Sequence, residues 1–96
     1  MSGSAPVTID FVIYGPIARA DLPGLCERVC ALFERTAPQI ARCDVRGVEP
    51  DAVTVDALAR LQLAAGRRGC RIRLRGVSPA LRDLVAFMGL ENVLPE

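Results

Sequence analysis

The stretch 51–60, DAVTVDALAR, joins a loop-like GVEPDA to a helical apolar pattern, and at the join stand Thr54, Val55 and Asp56. Such a join is either a working site or the cap of a helix. Thr54 suits an N-cap, where a hydroxyl accepts from a free backbone N–H and contributes about 1 kcal/mol. Asp56 then lies in the first turn, where the helix dipole favours a negative charge by roughly 0.3–1 kcal/mol. On these residues alone the capping account is sufficient. Glu49 and Asp51 lie in the loop just before. They act as a pair only if the fold brings a third group near, and they read as loop solvation.

The other chemically able residues are few. The chain has no His, which excludes Ser-His-Asp and Cys-His catalysis and the commonest zinc ligand. No phosphate-binding Gly-rich loop is present. Four cysteines remain, Cys26, Cys30, Cys43 and Cys70. Cys26 and Cys30 are neighbours on one helical surface, but CERVC is not the tight Cys-x-x-Cys of structural zinc sites. Cysteine packs well as a small buried hydrophobe, and Cys26, Cys43 and Cys70 fall on inward positions or in strands, so packing is favoured over ligation, with no metal and no cofactor expected. The arginines Arg60, Arg67, Arg68, Arg71, Arg73 and Arg75 cluster late. They form either an anion patch or a solvated sheet face with cross-strand pairs to Asp10 and Asp44. A net charge of +1 and a lone Tyr14 as stacking ring favour the solvated face, and no nucleic-acid partner is expected.

Composition bounds the rest. With 96 residues, 51% hydrophobic and 24% charged, the chain suits one globular domain with a continuous core. The expectation is a disordered lead over 1–6 and a single domain over 7–96. All twelve basic residues are Arg, which points to a GC-rich, bacterial coding sequence. MSGSAPVTID lacks the basic and apolar regions of a signal peptide. No apolar run approaches the ~20 residues of a membrane helix, so a cytoplasmic protein with reduced cysteines and no direct membrane insertion is expected.

Positioning these residues requires alternating elements. VTIDFVIYG alternates Val7, Ile9, Phe11 and Ile13 against Thr8, Asp10, Val12 and Tyr14, the pattern of a strand. A helix follows from an N-cap at Asp21, with Leu22, Leu25, Cys26, Val29, Leu32 and Phe33 on one stripe, ending near Thr36. QIARCDV is a second strand. From about Val55, the residues Leu58, Leu61, Leu63 and Ala65 mark a second helix, closing near GRRG. CRIRLRG is a third strand, and Ser78 with Pro79 opens a third helix whose buried stripe is Leu81, Leu84, Val85 and Met88, ended by Gly89. Strand–helix crossovers in this order predict a largely parallel sheet with open edges. A partner or a dimer mate is one way to cover them.

The segment CRIRLRGVSPALRDLVAFMGLENVLP resembles the STAS domain family (sulfate transporter and anti-sigma-factor antagonist). A strand, a Ser-Pro helix start, Gly-Leu and a final hydrophobic-hydrophobic-Pro follow one another in the family's order. VIYGPIARAD is similar to the strand, Gly and loop before the family's first long helix, so the likeness runs over roughly 7–95. The resemblance implies an α/β, STAS-like fold: a small mixed or mostly parallel sheet of three to four strands with three or more helices packed on it. It implies no catalysis, so no enzyme is expected, and it implies binding to a protein partner. In switching members an Asp-Ser-x-Gly-Leu segment opens the second helix, and a kinase phosphorylates that serine. Aligned on Leu58, this chain puts Val55 at the phosphoacceptor and Thr54 at the Asp. Val55 has no hydroxyl, so the usual switch is missing unless Thr54 substitutes. Asp56 is then a fixed negative charge where a phosphate would lie. The short strand that often precedes VTIDFVIY is also absent.

Two functions follow from the resemblance. In the first, the domain is an anti-sigma-factor antagonist, a regulator of transcription that docks an anti-sigma factor or kinase-like protein through Glu49, Asp51, Thr54, Val55 and Asp56. In the second, it is a small soluble subunit of a bacterial phospholipid ABC transporter and binds the ATPase. A homodimer through an open sheet edge is compatible with both.

Overall fold

The computed structural model describes residues 6–96. The lead expected over 1–6 falls, except for the exposed Pro6, outside the described residues. The chain runs β1 (Thr8–Tyr14), a 3₁₀ turn (Arg19–Asp21), α1 (Leu22–Thr36), β2 (Ile40–Gly47), α2 (Ala52–Gly66), β3 (Arg71–Arg75) and α3 (Pro79–Phe87). The three strands form a parallel sheet in the order β1-β2-β3. Thr8 pairs with Ile40 and Ile40 with Arg71, so the strands start level.

Alternation decides which face is covered. Ile13 on β1, Ala41, Cys43 and Val45 on β2, and Ile72 and Leu74 on β3 point into one core. The helices supply Leu22, Val29 and Phe33, then Leu58, Leu61 and Ala65, then Leu81 and Val85 to the same core. Phe33 meets Phe11 edge to face at 5.8 Å between ring centroids, the preferred geometry of aromatic pairs. The opposite face carries Asp10, Val12 and Tyr14, Arg42, Asp44 and Arg46, and Arg71, Arg73 and Arg75, and no helix among the described residues covers it.

Helix boundaries follow the sequence signals with three corrections. Ser78 caps α3 as its position predicts, accepting from the Leu81 N–H at 3.1 Å. Asp21 precedes α1 but does not cap it: its Oδ2 reaches back to the Ala18 N–H at 3.0 Å and closes the 3₁₀ turn. Helix α2 begins three residues before Val55, because Asp51 is its N-cap and accepts from the Thr54 N–H at 2.8 Å. Thr54 is therefore inside the helix. Met88 falls just past the end of α3 and is partly exposed, and Leu63 is 64% exposed, so neither belongs to the core.

The two edges of the sheet are finished differently. On β3 the outward N–H and C=O of Ile72 and the outward N–H of Leu74 are satisfied by other parts of the chain. The Gln62 amide accepts from the Ile72 N–H at 2.8 Å and donates to the Ile72 carbonyl at 2.9 Å, and to the Val93 carbonyl at 2.9 Å. The Leu74 N–H donates to the Pro95 carbonyl at 2.8 Å. On β1, no described residue pairs with the outer edge.

Candidate functional site

The corner at the start of α2 is built by two loops that meet. The Gly15 N–H donates to the Gly47 carbonyl at 2.9 Å, tying the β1–α1 loop to the end of β2. A Cβ on Gly15 would lie 3.1 Å from the Glu49 nitrogen and 3.2 Å from the Val48 Cα, so any larger residue would force this backbone back by a few tenths of an ångström. From the other side Arg19 reaches Asp56 at 3.5 Å, and Arg60 one turn on holds the same carboxylate at 3.2 Å.

The five residues singled out by sequence divide sharply. Glu49 and Asp51 are exposed, and Asp56 is half-buried. Thr54 and Val55 are each 0% exposed. Both point into the core, so neither presents a side chain to a partner. The Thr54 hydroxyl finds no hydrogen-bond partner among the described residues. It is thus neither the expected cap nor a surface acceptor for phosphate. The charge on Asp56 is likewise no bare substitute for phosphate, because two guanidinium groups offset it. It also lies one turn deeper than the capping position implied, since α2 starts at Ala52.

Sequence reasoning missed Arg19 and the half-buried apolar Val48 and Val53, which complete the corner. Arg19 is 37 positions from Asp56, and no local pattern connects them. The buried hydroxyl has a consequence for stability. Replacing Thr54 by the isosteric Val removes an unsatisfied polar atom, a defect costing about 1–3 kcal/mol. We expect Thr54→Val to raise the thermal midpoint by several degrees; a lowered midpoint would show that the hydroxyl is satisfied in solution.

The other clusters behave as structural groups. Arg42 holds Asp10 through two bonds of 2.6 and 3.0 Å, and Arg46 holds Asp44 at 2.9 Å. Hydrogen bonds from Arg46 lower the Asp44 carboxyl below the usual range, helped by Arg75. Asp10 thus pairs across the strands with Arg42 of β2 rather than with one of the late arginines, as the sequence pattern had it, and Asp44 takes an arginine of its own strand. Cys43 and Cys70 are buried, and burial pushes the Cys43 thiol up to about 12. Cys26 is only half-buried, but burial and the neighbouring Cys30 still raise its thiol. No group of three or more metal-ligating side chains is gathered among the described residues. No helix among them is long and apolar enough to cross a membrane.

A parallel three-stranded sheet with helices on one face, and a two-loop corner at the start of its second helix, define a small α/β domain of the STAS type. The chain belongs to the STAS domain family: a family model described as "Mlab, STAS domain" matches residues 13–95. Among solved structures, it is similar to a sulfate transporter family protein from Wolinella succinogenes. That crystal structure superposes with a TM-score of 0.66 at 25% identity, over 91% of this chain and 70% of the other. No curated protein matches this chain.

Proposed function

We propose that this domain is a non-catalytic protein-binding module whose docking is not switched by phosphorylation at the start of α2. One observation carries the reading. The residue aligned with the family's phosphoacceptor is Val55, and both it and the neighbouring Thr54 hydroxyl lie in the core, out of reach of a kinase. The exposed acids Glu49 and Asp51, beside half-buried Val48 and Val53, offer a corner that suits a basic partner surface with an apolar centre.

The partner is of the anti-sigma-factor kind, bound constitutively in the cytoplasm. A second reading places the domain on the ATPase of a phospholipid ABC transporter. One observation favours it: the similar solved structure is described as a sulfate transporter family protein.

Affinity purification of the tagged chain from its native cell, with mass spectrometry, separates the two by recovering an anti-sigma factor or an ABC ATPase. Glu49→Arg is expected to weaken the recovered complex about tenfold or more, because it reverses an exposed charge at the corner. A complex indifferent to Glu49→Arg and Ala52→Arg, or one released by phosphorylation at Thr54, would overturn the proposal.

A further inference from the structure

We infer that the helix-free face of the sheet docks an acidic helix of a partner protein, laid along β3 over Arg71, Arg73 and Arg75. A parallel sheet is ordinarily covered on both faces, because its crossover connections place helices there. In this chain α1, α2 and α3 all feed one core. No helix among the described residues covers the other face, which lies apart from the corner at the start of α2.

The charges on that face define its cover. Five arginines, Arg42 and Arg46 on β2 and Arg71, Arg73 and Arg75 on β3, stand against two carboxylates, Asp10 and Asp44. The face thus holds three surplus positive charges on a chain whose formal net charge is +1, so the remaining surface is net negative. Both carboxylates are already engaged by β2. Asp10 accepts two bonds from Arg42, and Asp44 accepts from the Arg46 N–H and from its guanidinium. No side-chain carboxylate among the described residues pairs with Arg71, Arg73 or Arg75. Arg73 reaches the main-chain oxygen of Glu96 at 3.3 Å, but the side chain of Glu96 is held by Arg82. The register also sets Arg73 directly beside Arg42, and like charges on neighbouring strands destabilise a sheet. An anionic cover relieves that repulsion.

Spacing and shape select a helix. Alternate residues of a parallel strand stand about 6.6 Å apart, so the three arginines form a row about 13 Å long. A helix rises about 1.5 Å per residue, so carboxylates at i, i+4 and i+8 fall on one side at intervals of about 6 Å. The two rows agree to within about 1 Å at their ends, well inside the reach of an arginine side chain, whose fork matches a carboxylate. A helix also arrives with its backbone bonds made, whereas an extended acidic segment laid on the face would leave its own unpaired. Small anions bind in concave sites, and this row stands on an open strand face. Single-stranded nucleic acid needs stacking rings; Tyr14 is the one aromatic residue turned to this face, and it stands on β1, two strands from the row.

The test titrates the isotope-labelled chain with an alanine-based helical peptide carrying Glu at i, i+4 and i+8. Comparison ligands are the same peptide with its acids scattered around the helix, a single-stranded oligonucleotide, and vesicles containing phosphatidylserine. The expected result is saturable binding that weakens with added salt, with amide shifts gathered at Arg42 and over Arg71–Arg75 and not at Glu49 or Asp51. The scattered peptide and the Arg73→Glu chain are each expected to bind about tenfold more weakly. Arg73→Glu is also expected to melt no lower than the wild type, because it removes the repulsion beside Arg42. A peptide that shifts none of these amides overturns the inference. So does one bound equally well when its acids are scattered or when Arg73 is reversed. Tighter binding of the oligonucleotide or the vesicles than of the peptide overturns it in favour of a phosphate-bearing partner. The two peptides on the unmodified chain decide the matter if the variant fails to fold.

Discussion

Val55→Asp is expected to leave the domain unfolded at room temperature. This is the substitution that would normally imitate a phosphorylated acceptor. In this chain it inserts a carboxylate at a position with no solvent exposure, on the face of α2 that carries Leu58 and Leu61 into the core. An unpaired buried charge costs at least several kcal/mol, and the group escapes only by binding a proton or by disrupting the packing around it. A domain of this size has about 5–10 kcal/mol of stability to lose. Val55→Ser is milder but points the same way. It deletes buried methyl groups and adds a hydroxyl beside that of Thr54, for roughly 2–4 kcal/mol. Circular dichroism melts and urea titrations of both variants measure the effect. A folded Val55→Asp domain with a midpoint near that of the wild type would show that the helix start can turn this position outward. The functional reading would then lose its support, since restoring an acceptor would restore a switch.

Gln62→Leu is expected to lower stability by about 2–4 kcal/mol, although it keeps the volume and the helical preference of the side chain. The Gln62 amide makes three bonds, to the N–H and C=O of Ile72 and to the carbonyl of Val93. Ile72 itself is buried, so its outward backbone groups have little access to water once the amide is gone. Leaving buried backbone groups without partners costs more than the bonds themselves contribute. A midpoint shift of about ten degrees or more follows for a domain of this length. The same change opens the β3 edge, so the variant is expected to self-associate beyond the species seen for the wild type. Thermal melts with parallel light scattering read both effects. A variant as stable and as soluble as the wild type would mean that β3 is protected by something other than this amide.

The elements were legible where a local pattern has one physical cause. Strict alternation in CRIRLRG put Ile72 and Leu74 inward and three arginines outward, as found. Ser78-Pro79 read as a helix start because a hydroxyl followed by a fixed φ has few other uses, and Ser78 does cap α3. Caps with competing candidates were harder to place. Asp51 and Thr54 both suit an N-cap, and both lie within three residues of the helix start. Packing chose between them, because the earlier start turns Val55 and Leu58 together into the core. Asp21 shows the same ambiguity, since its carboxylate serves the turn before α1 rather than the helix after it.

By itself the sequence determined the order of strands and helices, the parallel sheet, the face of each strand that is buried, and the absence of a hydroxyl at Val55. Each of these depends on residue type and on spacing within one element. Only the tertiary structure decided that the Thr54 hydroxyl is buried, that Arg19 crosses to Asp56, and that Gln62 closes one edge of the sheet while the edge at β1 stays open. These depend on groups from distant parts of the chain meeting in space. Local periodicity says that a side chain faces inward, but the packed neighbours determine whether it finds a partner there.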